Sequence, residues 1–247
     1  MPKKVIKLSV QDFTFAVAAV FLVGAIIGIA LLPKAGPGRA ALISESSVEM
    51  GIPAVDAQGN GVLGTLYTTV RPGTGKILVN VDNILSQIDT QFSSRTAVKA
   101  AAVYMNMDPE SVDVIFTLKV NATMVEGPSA GSAMAASVVL ALGGAPAGRR
   151  IMMTGTIEED GSVGNVGSIA EKAAAAKGGG AEIFIVPAGQ STDTMSRKER
   201  ACESFDSVTI CRINYVREKV SISSPLNMTI VEAGTLAEIM DIYRNLK

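Results

Sequence analysis

The fold is decided by the stretch Val112-Asp113-Val114-Ile115-Phe116-Thr117-Leu118-Lys119-Val120. Its even-numbered positions are apolar and most of its odd-numbered positions are polar, which predicts a strand with one buried face. Residues 129–142 are mostly small or apolar and are followed by Gly143-Gly144, a pattern typical of a buried helix. A strand that leads towards a buried helix is therefore the predicted centre of the fold.

Strands and helices alternate on both sides of this centre. Residues 61–70 and 76–81 are predicted as two strands joined by a glycine-containing turn, and residues 93–107 as a packed helix. From the residues alone, this alternation indicates an α+β or α/β domain. Further elements are predicted at residues 151–157 and 162–166 (strands around an Asp-Gly turn), at 168–178 (a helix), at 182–187 (a strand) and at 235–246 (a helix).

The N-terminal part has the pattern of a membrane anchor. Residues 13–32 contain no charge and are mostly apolar, and a helix of that length matches the roughly 30 Å hydrocarbon core of a bilayer. A cleaved signal peptide is the alternative, but the stretch exceeds the usual ~7–15 apolar residues and no clear A-x-A site follows. Three lysines precede the stretch, whereas Lys34 and Arg39 follow it. We therefore expect a single-pass protein of the cell membrane, with the domain favoured outside.

The chain divides into four predicted segments. Residues 1–12 form a short N-terminal segment, and residues 13–32 form the transmembrane anchor. Residues 33–60 are rich in Gly, Pro, Ala and Ser, which predicts a linker. Residues 61–247 form the predicted folded domain, which is long enough to bury a full core.

Composition and motif spacing exclude several functional classes. The chain contains no histidine, which excludes Ser-His-Asp and Cys-His catalysis. A net charge of −1 and 4% aromatic residues provide no recognisable nucleic-acid surface, so no nucleic-acid partner is predicted. Gly73-Thr74-Gly75-Lys76 resembles part of a phosphate loop, but Val70 and Ile77 stand where the Walker pattern needs Gly and Ser or Thr. No nucleotide site is predicted.

The two cysteines leave two possibilities open. Cys202 and Cys211 lie nine positions apart, late in the chain. In an oxidising compartment they would close a small disulfide loop. Otherwise they are two unrelated buried thiols, and the sequence alone favours neither possibility.

Ser129 is a candidate nucleophile and Lys172 a candidate base. Lysine is the obvious remaining base in a chain without histidine, but its pKa must fall from about 10.4 to about 7–8 before it can accept a proton. Ala173-Ala174-Ala175-Ala176 cannot solvate an ammonium, and Ser168 with Glu171 fits a capping box that places Lys172 near a helix N-terminus. The alternatives are a helix-capping serine and a solvated surface lysine.

The backbone around Ser129 suits an oxyanion site. Gly127 precedes Pro128-Ser129, and Ala130-Gly131 follows, so a substrate carbonyl could approach the main chain closely. Free N–H groups at the start of a helix stabilise negative charge. The backbone N–H groups of Ser129 and Ala130 are therefore the candidate oxyanion donors.

Four motifs, in order and spacing, resemble the proteolytic domain of Lon proteases. The resemblance is dense over residues 112–187 and extends more weakly from residue 61 to the C-terminus. It implies an α+β fold with mixed sheets and packed helices, preceded in this chain by one transmembrane helix. The motifs are Gly127-Pro128-Ser129-Ala130-Gly131, Met153-Thr154-Gly155, Gly161-Ser162-Val163-Gly164-Asn165-Val166-Gly167-Ser168-Ile169-Ala170-Glu171-Lys172 and Ala181-Glu182-Ile183-Phe184-Ile185-Val186-Pro187.

The resemblance also implies roles for single residues. Ser129 corresponds to the nucleophile and Lys172 to the general base of the family. Thr154 corresponds to a hydroxyl that orients or hydrogen-bonds the lysine. Glu126 stands where many members carry aspartate, so a supporting role is expected for its carboxylate. Ser168 replaces a frequent glycine.

The implied function is that of a membrane-tethered, ATP-independent serine endopeptidase with a Ser-Lys dyad. Lon enzymes usually carry an ATPase module, for which this chain has no motif. The expected substrates are unfolded or flexible polypeptides, and the chemistry needs no cofactor and no metal. Family members form rings, which implies a homo-oligomer, with six chains as the expected number. The alternatives are a non-catalytic Lon-like domain for binding or assembly at the membrane, and a signal-peptidase-like enzyme that processes precursors.

Overall fold

The computed structural model describes residues 44–82, 88–120, 128–143, 150–205 and 208–245. All of them belong to the unit Ile43–Lys247. The predicted anchor at residues 13–32 lies outside the described residues. Within the described part, none of the helices is both long and apolar enough to cross a membrane.

A four-stranded sheet organises the first half of the domain. Strands β1 and β2 are antiparallel, as are β2 and β4, whereas β3 and β4 are parallel. The predicted strand at Val112–Val120 is confirmed, and all five of its even-numbered side chains are buried. The strands are β1 (Ser46–Val55), β2 (Gly61–Pro72), β3 (Ile77–Asp82) and β4 (Val112–Val120), in the spatial order β1-β2-β4-β3.

The turn between β2 and β3 packs against β4. Both predicted strands are present, but they do not pair with each other because β4 lies between them. The carboxylate of Asp113 accepts hydrogen bonds from the backbone N–H groups of Thr74 (2.9 Å) and Lys76 (3.0 Å). These bonds hold the pKa of Asp113 below its usual value. The glycine-containing turn therefore wraps the start of β4 rather than closing a hairpin.

The domain begins earlier than the sequence predicts. Residues 46–55, assigned to the linker, form β1 and pair with β2 along the whole strand, from Ser46 opposite Val70 to Val55 opposite Gly61. Gly51 and Pro53 make the segment resemble a linker in composition. The apolar side chains of the segment are buried against the core, and this burial outweighs the low strand propensity of Gly51 and Pro53. Residues 33–43 lie outside the described part.

Two helices cover this sheet. Helix α1 (Ile88–Met105) starts before and ends close to the predicted helix at residues 93–107, and helix α2 (Gly131–Gly143) matches the predicted buried helix. α1 packs against α2, and α2 packs on β1 and β2. Every residue of α2 from Gly131 to Ala141 is buried, which explains why this helix has no polar face. The core joins α2 to the buried side of the sheet.

A three-stranded parallel sheet organises the second half. Its order is β11-β8-β5, and it carries α3 beside it. The predicted turn at residues 158–161 joins β6 and β7, which pair antiparallel. Because helices pack on a mixed sheet and on a separate parallel sheet, the predicted α+β architecture is confirmed. The elements are β5 (Ile151–Met153), β6 (Thr156–Ile157), β7 (Val163–Gly164), α3 (Ile169–Gly178), β8 (Ile183–Pro187), the short α4 (Ser223–Leu226), β11 (Thr229–Ala233) and α5 (Leu236–Asn245).

A long two-stranded ribbon separates β8 from β11. Its strands are β9 (Thr192–Phe205) and β10 (Val208–Ser221), which the sequence analysis did not predict. Cys202 lies opposite Cys211 in the register, and the two cysteines form a disulfide. Of the two possibilities that the sequence left open, the structure has the disulfide loop.

We expect Gly61→Ala to destabilise the domain. A Cβ at Gly61 would overlap the carbonyl group of Glu171 in α3 and lie 3.2 Å from Cβ of Ala175. Because the neighbouring atoms are backbone, either β2 or α3 must shift, and the free energy of unfolding should fall by about 1–3 kcal/mol. Urea unfolding measures the change. The matched control is Gly178→Ala, since a Cβ there meets nothing within 4 Å. Equal stability of the two variants would contradict this close approach.

Candidate active site

Ser129 and Lys172 line the same cavity, which we call the main cavity. Its volume is 580 Å³. Asp56 and Gly59 of the β1–β2 loop form one wall, and residues 165–168, which precede α3, form another. The structure therefore places the predicted nucleophile and the predicted base at one site, although they are 172 − 129 = 43 positions apart in sequence.

The backbone of Ser129 is held by the segment that connects β5 to β6. The carbonyl oxygen of Ser129 accepts hydrogen bonds from the Gly155 N–H (2.9 Å) and from Oγ1 of Thr154 (3.3 Å). In the opposite direction, the Ser132 N–H donates to the carbonyl oxygen of Gly155 (3.0 Å). Three hydrogen bonds thus fix Ser129 and the start of α2 against the segment that connects β5 to β6.

Two backbone donors at Ser129 remain free within the described residues. The Gly131 N–H donates to Pro128 and the Ser132 N–H donates to Gly155, whereas the N–H groups of Ser129 and Ala130 have no acceptor in the described part of the chain. In a trans peptide the carbonyl and the following N–H point in opposite directions. Because the Ser129 carbonyl faces Gly155, the Ala130 N–H is directed away from that segment. Among the described residues, both predicted oxyanion donors are therefore without an acceptor.

Burial lowers the pKa of Lys172 from 10.5 to about 8. The side chain is 6% exposed, although it lines the cavity, and burial disfavours the charged form. The neighbouring carboxylate of Glu171 opposes the shift, but its effect is the smaller one. Lys172 is therefore not the solvated surface lysine that was the alternative. A substantial fraction of the side chain is neutral at mildly alkaline pH.

The capping box predicted at the start of α3 is not formed. Ser168 occupies the N-cap position, and its carbonyl oxygen accepts the Lys172 N–H (3.1 Å). However, its backbone is left-handed, with φ 56° and ψ 43°, and its side chain makes no cap hydrogen bond. A capping side chain normally requires an extended backbone at this position. The left-handed conformation also suits the glycine that is frequent here in the Lon family.

Thr154 and Glu126 were predicted to support Ser129 and Lys172, and only the first of them lies among the described residues. Thr154 is 2% exposed, and its hydroxyl donates to the Ser129 carbonyl rather than to the lysine as predicted. Its own N–H donates to the Ile185 carbonyl in β8 (3.1 Å). Thr154 therefore positions the backbone of Ser129. Glu126 lies outside the described residues.

Sequence reasoning missed the groups that shape the cavity walls. The Asp56 carboxylate accepts from the N–H groups of Gln58 (3.0 Å) and Asn60 (2.8 Å) and from the Asn60 side chain (3.1 Å), which holds its pKa below the usual value. The side-chain amide of Gln190 clamps Val166, accepting from its N–H (3.0 Å) and donating to its carbonyl (2.9 Å). A turn at Asp56 has a local signal, Asp-x-x-Gly-Asn. The contact of Gln190 has none, because it depends on tertiary structure.

No metal site competes with this interpretation in the part of the chain that the structure describes. Across residues 44–82, 88–120, 128–143, 150–205 and 208–245, acidic and cysteine side chains form no group of three or more that could hold an ion.

Comparison with known proteins identifies the family. A serine and a buried lysine on one cavity are features of serine hydrolases that work without histidine. Residues 45–222 match the model of the Lon protease (S16) C-terminal proteolytic domain, and the chain belongs to this family of serine peptidases.

Individual relatives agree with this assignment. The Lon protease of Escherichia coli is 29% identical over 176 residues, an alignment that covers 70% of this chain and 22% of that protein. The Lon protease of Azorhizobium caulinodans is 28% identical over 170 residues, which covers 67% of this chain and 20% of that protein. The chain thus spans about a fifth of the length of these curated relatives.

We expect Lys172→Met to stabilise the folded domain. A pKa of about 8 in the folded state, against 10.5 for an ordinary lysine, means that the unfolded chain binds more protons between these values. Stability therefore rises as the pH increases from 8 to 10.5, and at about pH 7 the buried charge costs about 3 kcal/mol. Methionine removes that cost. Urea unfolding of the full chain at about pH 7 should show the gain, which shrinks as the pH approaches 10.5.

Lys177→Met is the matched control for this stabilisation. Lys177 lies five positions further along α3, is exposed and donates to the carbonyl oxygen of Asn227. It should show little change with pH in this range. A Lys172→Met variant that is no more stable than wild type at about pH 7 would contradict the burial of charge at this position.

Proposed function

We propose that this chain is a serine endopeptidase with a Ser-Lys dyad that hydrolyses peptide bonds in unfolded or flexible polypeptides. The observation that carries the proposal is that Ser129 shares the main cavity with Lys172, whose pKa is lowered to about 8. The match to the Lon proteolytic domain supports the same chemistry.

In the proposed mechanism, Lys172 acts in its neutral form. Its Nζ takes the proton from Oγ of Ser129 as that oxygen attacks the substrate carbonyl carbon. The backbone N–H groups of Ser129 and Ala130 stabilise the resulting oxyanion. Nζ then returns the proton to the leaving amine, and water hydrolyses the acyl-enzyme by the same route. The bonds from Gly155 and Thr154 hold the Ser129 peptide still during both steps.

The wider proposal includes a membrane tether, independence from ATP and self-association. The uncharged stretch at residues 13–32 supports the tether in the cell membrane, with the domain outside. Independence from ATP is part of the same proposal, and cleavage measured without ATP tests it. A homo-oligomer, with six chains as the expected number, rests on the resemblance to ring-forming Lon enzymes.

Ser129→Ala and Lys172→Met should each abolish cleavage of an unfolded substrate such as casein by the full chain without ATP. Loss of either half of a nucleophile–base pair typically lowers kcat by about 10⁴-fold or more. The remaining activity can be measured by release of fluorescent peptides. Wild type should also label covalently at Ser129 with a fluorophosphonate.

Lys177→Met is the control for this loss, because it removes a lysine from the same helix outside the cavity. It should keep activity near that of wild type. Full activity of Ser129→Ala or Lys172→Met would refute the dyad. A folded wild-type chain that neither cleaves nor labels would favour a non-catalytic binding role.

The pH dependence of cleavage should report the lysine. Since only neutral Lys172 accepts a proton, kcat/KM for an uncharged peptide should rise with pH and level off above a midpoint near 8. Below the midpoint the rate should fall about tenfold per pH unit. Initial rates from about pH 6 to about pH 10 measure the profile. A flat profile, or one that declines across this range, would show that another group is the base.

A further inference from the structure

A second cavity adjoins the main cavity beside Ser129, and we call it the side cavity. Its volume is 310 Å³, and Pro128 and Thr156 line both cavities. Pro128 directly precedes Ser129 in the chain. Consecutive residues of a polypeptide are about 3.8 Å apart, so a substrate with its scissile carbonyl at Ser129 has a neighbouring side chain within reach of the side cavity.

Two carboxylates line the side cavity. Asp89, in the first turn of α1, and Glu158, directly after β6, are exposed and line the cavity. Neither carboxylate has a hydrogen-bond or ion-pair partner among the residues that the structure describes. The two acidic residues that follow Glu158 do have partners. Glu159 pairs with Lys99 at 2.6 Å, and Asp160 accepts a hydrogen bond from the hydroxyl of Ser162 at 2.7 Å. Within the described part of the chain, the negative charge of the side cavity is therefore free to meet a ligand.

The side cavity also offers an apolar surface. The ring of Phe92 is 63% exposed there, and Ile157 is buried at the same cavity. The long stems of lysine and arginine pack on apolar surface while their charged ends reach polar partners. An aromatic face attracts a cation as well. Both features fit a long cationic side chain, whereas a carboxylate would be repelled.

We propose that the side cavity is a specificity site that selects a lysine or arginine residue next to the scissile bond. This inference rests on the proposed peptidase function and adds the substrate class that the enzyme prefers. Asp89 and Glu158 attract the cationic end of the side chain. Phe92 and Ile157 contact its stem. Neither carboxylate takes part in the proton transfer.

The test uses the full chain and a series of unstructured, internally quenched peptides. The peptides are identical except that Lys, Arg, Met or Glu is placed in turn on each side of the scissile bond. Methionine matches the stem of lysine without its charge. One side of the scissile bond places its residue in the side cavity. On that side, kcat/KM should be about tenfold or more higher for the Lys and Arg peptides than for the Glu peptide, with the Met peptide between them.

Variants connect this preference to the two carboxylates. Asp89→Asn and Glu158→Gln should each reduce the ratio of kcat/KM for the Lys and Met peptides by about two- to fivefold. Glu158→Lys should bring the Glu peptide above the Lys peptide. Glu159→Gln is the matched control, because Glu159 neighbours Glu158 but pairs with Lys99. It should leave the ratio unchanged. Because each ratio is taken within one variant, partial misfolding does not alter it.

The outcomes separate this inference from the proposed function. Cleavage of all peptides with equal kcat/KM, or an unchanged ratio in both Asp89→Asn and Glu158→Gln, overturns the specificity site and leaves the peptidase standing. No cleavage of any peptide, together with no fluorophosphonate labelling of Ser129, overturns both. A preference that falls in the two variants and persists in Glu159→Gln supports the site.

Discussion

The hydrogen bonds between Gly155 and the start of α2 are the constraint on which the site depends. The Gly155 N–H donates to Ser129 and its carbonyl accepts from Ser132, so the nucleophile segment pairs with the chain just after β5. A side chain at position 155 would lie 2.6 Å from Cγ1 of Val163 and 3.1 Å from Oγ of Ser132. A Cβ at this position would therefore force Val163 to shift. Because β5 is part of the parallel sheet, the sheet sets the position of Ser129 through two backbone hydrogen bonds.

The lysine imposes a second constraint, which acts on stability rather than on geometry. Its burial produces the lowered pKa and, for the same reason, a folding cost whenever the side chain is charged. The loops around the main cavity are held by hydrogen bonds that do not involve Lys172. Gln190 fixes Val166 on one side of the main cavity, and Asp56 organises its own loop on the other. The cavity can therefore keep its shape around a group that favours water.

The parts of the fold that were predictable have local signals. Val112–Val120 alternates and α2 consists mostly of small or apolar residues, so both elements carry a local signal of burial. Strand β1 was missed because Gly51 and Pro53 obscure a strand whose stability comes from pairing with β2. The placement of β4 between β2 and β3 depends on contacts distant in sequence, and so does the ribbon of β9 and β10. No local pattern carries that information.

The same distinction applies to the site. Ser129 and Lys172 were identifiable because the absence of histidine and the motif spacing restrict the chemistry. The conformation of Ser168 could not be predicted, since the same local sequence is compatible with a capping box and with a left-handed residue at this position. The contact of Thr154 with the Ser129 carbonyl likewise depends on how β5 meets α2. Residue types therefore predict which groups are candidates for the reaction, whereas tertiary hydrogen bonds determine which groups position them.

A cationic residue bound in the side cavity would favour the proposed proton transfer to Lys172. A positive charge near a lysine disfavours its protonated form and lowers its pKa, the direction that burial already takes. A cationic substrate residue in the side cavity, across the shared wall of Pro128 and Thr156, would act in this sense. The negative charges of Asp89 and Glu158 would counteract part of this lowering of the Lys172 pKa, just as Glu171 counteracts part of the lowering caused by burial. A basic substrate would thus increase the fraction of neutral base at the moment of attack, whereas an acidic substrate would decrease it.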